Sequence, residues 1–277
     1  MSRGAIILLE KATGIVLRET PYREKDKIFT VMTSELGIVS VIANGVKSLK
    51  NPNLASVQPF CYSSFVLYRK GEMYWLRESQ LIENFYGLRS DLEKSALASY
   101  LCSVAEDFAT DEEDISVIEK LLLNTLYALS NDLSDRRAVK GAFEMRIASE
   151  LGFLPDLTAC VSCGKEPSGD MLFDVTGGAV ICGGCRDDRS IAALLGEQGV
   201  DPRDASEYFI RIDGNVLSAL RYVTACRQER LFSFRLDDSS YRVFSKVCEN
   251  YIIYHTDRRF RTLDFYKSVC SDLPDKP

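Results

Sequence analysis

Two Cys-x-x-Cys motifs, Cys160/Cys163 and Cys182/Cys185, separated by eighteen residues, constrain this chain more than any other feature. Two such pairs present four thiolates from two tight turns, the donor set of a tetrahedral zinc site. Gly164, Gly183 and Gly184 lie beside the sulfurs and are expected to let backbone N–H groups turn toward them. A single pair would leave buried thiols or a thioredoxin-like redox couple open. Two pairs joined by a short Gly-rich segment point instead to one Zn2+, held in an insertion at about 156–190. Four thiolates fill the coordination sphere, so the ion is expected to be structural.

The rest of the chain narrows the function by what it omits. Nine cysteines, an odd number scattered beyond the two pairs, fit a reducing compartment, and the expected location is cytoplasmic. No apolar run approaches membrane-spanning length, and Ala5 to Leu9 is too short for a signal-peptide core, so no membrane partner is expected. One histidine, His255, read as a packed helix residue, leaves little room for histidine-based catalysis. Glu112, Glu113 and Asp114 cluster in what reads as a connection between helices, where solvated charge is the plain reading. There is no Gly-x-x-x-x-Gly-Lys phosphate loop. The chain is therefore read as a non-enzyme. Its net charge of −6 is uneven: residues 1–80 carry 11 Lys and Arg against 7 Asp and Glu, leaving 23 against 33 elsewhere. A polyanion would be met mainly at the N-terminus.

Five short β-prone stretches fill the first 82 residues: 13–19, 27–33, 37–43, 59–69 and 72–81. A polar turn is expected at Pro21 to Asp26, a turn dipeptide at Asn44-Gly45, and a basic loop from Val46 to Ser56. So many strands without a helical period predict a Greek-key barrel, an OB-fold, over 1–82. From Leu88 the period becomes helical, with Asp91 placed as an N-cap. Helices are expected at 115–129, 136–151, 215–227, 239–255 and 263–269, with a strand at 171–175 and helix or loop at 186–206. The fold class is thus α+β: an N-terminal OB-fold β-barrel, then an α-helical domain over 83–277 with the four-cysteine zinc finger embedded in it.

Several stretches, in order, resemble the RecO family of bacterial recombination mediators. They are Gly14-Ile-Val-Leu-Arg18, Tyr22-Arg-Glu-Lys-Asp26, Glu35-Leu-Gly-Ile-Val39, Asn44-Gly-Val-Lys-Ser48, Val57-Gln-Pro-Phe60 and Leu67-Tyr-Arg-Lys70. Glu150 to Leu157 running into Cys160, Gly177-Gly178, and Tyr251 to His255 with the basic run behind it complete the match. The loop after the third strand carries fewer basic residues than is usual in that family, and some relatives lack the cysteines. The resemblance implies binding of single- and double-stranded DNA and annealing of complementary strands. It also implies partnership with RecR and with the C-terminal tail of the single-stranded-DNA-binding protein SSB, to help load RecA onto coated strands.

Binding a single strand without reading its bases needs cations along the backbone path and aromatic faces for stacking. Arg23, Lys25, Lys27, Lys47, Lys50, Arg69 and Lys70 are the candidate cations; Tyr22, Tyr68, Tyr74 and Trp75 are the candidate faces. Tyr74 and Trp75 alternate along a strand, so only one can point outward. Arg136, Arg137 and Lys140 near one helix start, and Arg258, Arg259 and Arg261 after another helix, are candidates for a secondary DNA or partner contact. A zinc-bearing OB protein that binds RNA, or a Cys-x-x-Cys redox enzyme, are the competing readings.

Overall fold

Alternation of apolar and polar residues builds the first five strands of the computed structural model, which describes residues 8–109, 112–188 and 205–272. Strands β1 (Leu9–Tyr22), β2 (Asp26–Thr33), β3 (Gly37–Ala43), β4 (Tyr62–Lys70) and β5 (Met73–Glu83) close into a barrel in the order β1-β2-β3-β5-β4. Every pairing is antiparallel except β3 with β5, the closing pair. This is the five-stranded arrangement of an OB-fold. Phe29 and Val31, Val41 and Ala43, and Phe65 and Leu67 point inward at two-residue spacing and meet Val16, Val46 and Val57 in one core. Each buried Val, Leu or Phe among them contributes about 1.5–3 kcal/mol. Strand β1 runs further than expected: Pro21 and Tyr22 pair with Lys27 and Asp26, which shortens the turn to Arg23–Lys25. The loop read as basic, 46–56, also serves the core, since Val46 is fully buried.

Helices α1 (Tyr86–Arg89), α2 (Leu92–Phe108) and α3 (Glu112–Ser130) follow the barrel. The Asp91 carboxylate accepts from the Lys94 backbone N–H at 3.1 Å and caps α2 as its sequence predicts. Glu112, Glu113 and Asp114 belong to the first turn of α3 rather than to a connection. Next come α4 (Arg136–Glu150), β6 (Asp156–Cys160), β7 (Met171–Asp174), β8 (Ala179–Ile181), α5 (Gly183–Asp188), α6 (Ala205–Tyr208) and β9 (Phe209–Ile212). The chain ends with α7 (Gly214–Ala225), a 3-10 turn (Gln228–Arg230), α8 (Asp238–Thr256) and α9 (Arg261–Asp272). Of the stretch 186–206, whose sequence allows helix or loop, residues 189–204 lie outside the described residues.

By its contacts the chain divides into two compact units, 1–131 with 260–277, and 132–259. In the first, α9 packs on α2, with Phe260 edge-on to Tyr100 at 5.7 Å and Ser103 Oγ 2.6 Å from Thr262 Oγ1. The second holds α4 against α8, and a four-stranded sheet ordered β6-β8-β7-β9 whose Phe173 meets Tyr251 edge-on. This compact division lies elsewhere than the change from strand to helix at 82/83. Among the described residues no helix is long and apolar enough to cross a membrane.

Candidate metal centre and nucleic-acid interface

The four cysteines converge. Cys160 ends β6, Cys163 follows it in a turn, Cys182 directly follows β8, and Cys185 lies in α5. The parallel pairing of β6 with β8 brings the two motifs side by side. All four Sγ atoms lie within 4.8 Å of one another, and Cys163 Sγ is 3.8 Å from Cys182 Sγ. Zinc–sulfur bonds of about 2.3 Å in a tetrahedron place sulfurs about 3.8 Å apart, so the cluster is close to the size an ion requires.

Backbone donors turn toward the sulfurs, as with Cys182 N to Cys160 Sγ at 3.3 Å. Burial pushes the Cys160 thiol up, but N–H groups of Cys182, Cys163 and Ser162 outweigh it and bring it down to about 6. Cys185 moves the other way, to about 12, because it shares hydrogen bonds with Cys163 and Cys182. Four thiols gathered this closely are a donor group suited to a soft cation. Gly164 supplies the turn at φ +70°, where its N–H donates to Cys160 O at 2.8 Å. Gly183 and Gly184 act differently from expectation. They open α5 with ordinary dihedrals, and a Cβ on Gly183 would sit 3.1 Å from Asp170 O.

His255 takes no part in the cluster. Its Nε2 lies 2.9 Å from Val175 O, and its ring packs between Tyr251 and Phe153. The metal set is complete without it.

On the barrel, cross-strand register fixes which side chains share a face. Thr20, Ile28, Ile42, Trp75, Tyr68 and Leu9 are successive partners around the wall. They form an outer stripe, because their neighbours Phe29, Val41 and Leu67 point into the core. Of the alternating pair, Trp75 is the outward one: its ring stacks on Tyr68, centroids 6.5 Å apart, and Lys70 Nζ stands 5.4 Å from it. Tyr74 packs against the core and donates to Glu10 at 3.3 Å.

Exposed cations border the stripe. Lys47 Nζ donates to Arg23 O at 2.9 Å, and Lys47 N to Lys25 O at 3.2 Å, so the β1–β2 turn and the loop after β3 hold Arg23, Lys25 and Lys47 together. Arg23 also covers the Tyr22 ring at 5.0 Å. Lys50 is exposed further along the same loop, and Arg69 and Lys70 occupy the β4–β5 hairpin.

Three expected cations are placed otherwise. Lys27 shares its parity with Phe29 and Val31, so it points into the barrel mouth, 5% exposed, and is paired with Glu19. Lys140 is buried between Glu144 and Glu249. Burial alone would lower its ammonium, but the two carboxylates raise it. Arg137 is committed to its own N-cap, Asp135, at 2.8 Å and to Asp238 at 2.9 Å, with Tyr241 beneath it. Lys140 and Arg137 are distinguished from surface cations by Glu249 and Asp238, distant neighbours that sequence spacing does not reveal. Arg136 is half-buried beside Arg137, and Arg258, Arg259 and Arg261 are exposed.

The family model for the N-terminal part of recombination protein O matches residues 7–85, and that for its C-terminal part matches residues 89–264. DNA repair protein RecO of Acetivibrio thermocellus is 28% identical over 94% of this chain and 96% of its own. Its counterpart in Alkaliphilus metalliredigens is 29% identical over 95% and 100%, and that in Desulforudis audaxviator 31% over 92% and 95%. With both parts matched in order along nearly its whole length, the chain belongs to the RecO family of DNA repair proteins.

Proposed function

We propose that this protein is a non-enzymatic recombination mediator that binds single- and double-stranded DNA and anneals complementary strands. With RecR and SSB it helps load RecA onto coated single strands in the cytoplasm. One observation carries the reading: an outward Tyr68–Trp75 pair on the barrel wall, bordered by Arg23, Lys25 and Lys47 on one loop pair and Arg69 and Lys70 on another. OB-folds engage oligonucleotides on the strand 2–3 face and through the β1–β2 and β4–β5 loops; Arg23 and Lys25 lie in the first of these loops, Arg69 and Lys70 at the second, and the Tyr68–Trp75 pair stands on β4 and β5 beside the second. Aromatic faces take bases of any identity, and cations take phosphates, so binding is indifferent to sequence. Lys27 stands outside the contact set, because its ammonium is turned inward.

Zinc is the ion that four clustered thiolates favour, and it would be held by Cys160, Cys163, Cys182 and Cys185 as a closed, structural site. It supplies folding energy to the β6–β8 region and no open coordination position. The protein then needs only to neutralise two strands and hold them while base pairing supplies the driving force.

The test is annealing of complementary strands coated with SSB, in the absence of nucleotide. Acceleration over SSB-coated strands alone supports the reading. A protein that anneals nothing, or that binds RNA and ignores DNA, defeats it.

A further inference from the structure

The end of α7 carries a cleft of about 360 Å³ lined by Tyr222, Cys226, Arg227 and Arg230. Its chemistry is unlike that of the neighbouring surface. Arg221 is spent on Glu166 and Arg242 on Asp238, and Arg235 on the carbonyls of Phe232, Phe234 and Leu133. Arg227 and Arg230 are exposed, and among the described residues no ion pair engages either guanidinium. Arg227 is the extended residue that leads into the 3-10 turn and Arg230 is its last residue, and both line the cleft.

Cations at a helix C-terminus usually complement the dipole, and that would be reason enough for two arginines here. The post is already filled. Arg146, on α4, donates from Nη1 to Thr224 O at 3.0 Å and from Nη2 to Cys226 O, closing the last turn of α7. Arg227 and Arg230 are surplus to that need.

Tyr222 gives the cleft a rigid aromatic wall. Its hydroxyl donates to Arg230 O at 2.7 Å, and its ring is backed by Phe234 at 6.0 Å, which packs on the fully buried Phe244 at 5.3 Å. A fixed ring beside two uncommitted guanidiniums offers one stacking face and two phosphate partners, what a single strand uses.

We propose that the Tyr222–Arg227–Arg230 cleft is a second single-strand site, which holds the second strand during annealing while the barrel holds the first. This rests on the nucleic-acid reading of the barrel. It adds that one chain carries two strand sites, one on each compact unit. An annealing protein with a single site must bring its strands together from two molecules; a protein with two sites can do so within one.

The experiment uses the full-length chain, oligo-thymidylate as the probe, and the variant R227A/R230A. Both positions are exposed, so folding should be preserved. The parent should bind two strands per chain. The variant should bind one, with first-strand affinity within about twofold of the parent and annealing slowed by about tenfold, the size of one lost charge-assisted contact to phosphate. A variant that still binds two strands, or that anneals at the parent rate, overturns the proposal. So does a variant that keeps both strands and loses binding of a poly-aspartate peptide, which would make the cleft a peptide slot. A parent that binds no strand at all strikes the barrel reading itself and is thereby distinguished from these results.

Discussion

Trp75 on β5 stands directly across from Tyr68 on β4, their rings 6.5 Å apart between centroids and within 24° of parallel. Both residues face away from the barrel core, and Trp75 is the only tryptophan in the chain. Intrinsic tryptophan fluorescence therefore reports this position and no other. Oligo-thymidylate should quench it, saturably and in step with binding. Trp75→Ala should weaken single-strand binding by about 1–3 kcal/mol per stacked base. A saturated complex with unaltered fluorescence would place the strand elsewhere.

The placement of Lys27 separates two kinds of lysine. Lys25→Ala and Lys47→Ala should each flatten the slope of log affinity against log salt by about 0.7, one phosphate each. Lys27→Met should leave that slope as it is. Glu19→Ala should cost more stability than Lys27→Met, since it strands a buried ammonium, whereas Glu19 is 41% exposed and can be hydrated instead. Salt titrations and thermal melts of the four variants check both statements.

Much of this was legible in the chain. Two-residue alternation in β2 and β4 shows the barrel wall, and cysteine spacing shows the thiolate cluster, because both depend on local geometry. The inward turn of Lys27 was legible too, since it shares parity with Phe29 and Val31, but a basic residue in a polar context masks it. Lys140 and Glu144 stand four apart, which on an exposed face would be an ordinary pair; only the packing of α8 against α4 buries them with Glu249. The return of α9 to α2 depends on Phe260 finding Tyr100, 160 residues away. The Tyr222 cleft becomes visible once Arg146 is seen closing α7, a contact across 78 residues. Long-range pairings of this kind leave no periodic signature.

A carboxyl group in the first unit should make stability depend on pH. Glu119 on α3 is 5% exposed; it accepts a hydrogen bond from Ser34, and its Oε1 has no partner. Burial raises it to about 7; the Ser34 bond opposes this, and Glu35 adds to it. Tyr62, the other titratable group facing it, is itself raised by burial and by these two carboxylates. A carboxyl raised in the folded state binds more protons folded than unfolded between about 4.5 and 7, so stability falls as pH rises through that window. The fall should be on the order of 1–2 kcal/mol once screening by nearby water is allowed for. Denaturant melts at pH 5 and pH 8 should show it, and Glu119→Gln should remove it. A wild-type protein equally stable at both would mean that Glu119 is already ionised in the fold at pH 5.

The thiolate cluster makes the last prediction. Protein purified without chelator should contain one zinc per chain by elemental analysis, held by Cys160, Cys163, Cys182 and Cys185. A bound ion would tie the end of β6 to the end of β8, which pair at only two positions, so its removal should loosen that junction. Cys163→Ser should lose the metal. If that costs about 2 kcal/mol, the melting temperature of the second unit, residues 132–259, falls by roughly 5–10 °C, between the scalings for smaller and larger domains. The first unit contains none of the four ligands and should melt as before, so a scan that resolves two transitions should move one. Oligo-thymidylate quenching of Trp75 should persist in the same variant, because the barrel stripe lies wholly in the unmoved unit. Much less than one zinc per chain, or a Cys163→Ser protein with the parent's melt, would show that the sulfurs gather for a reason other than metal.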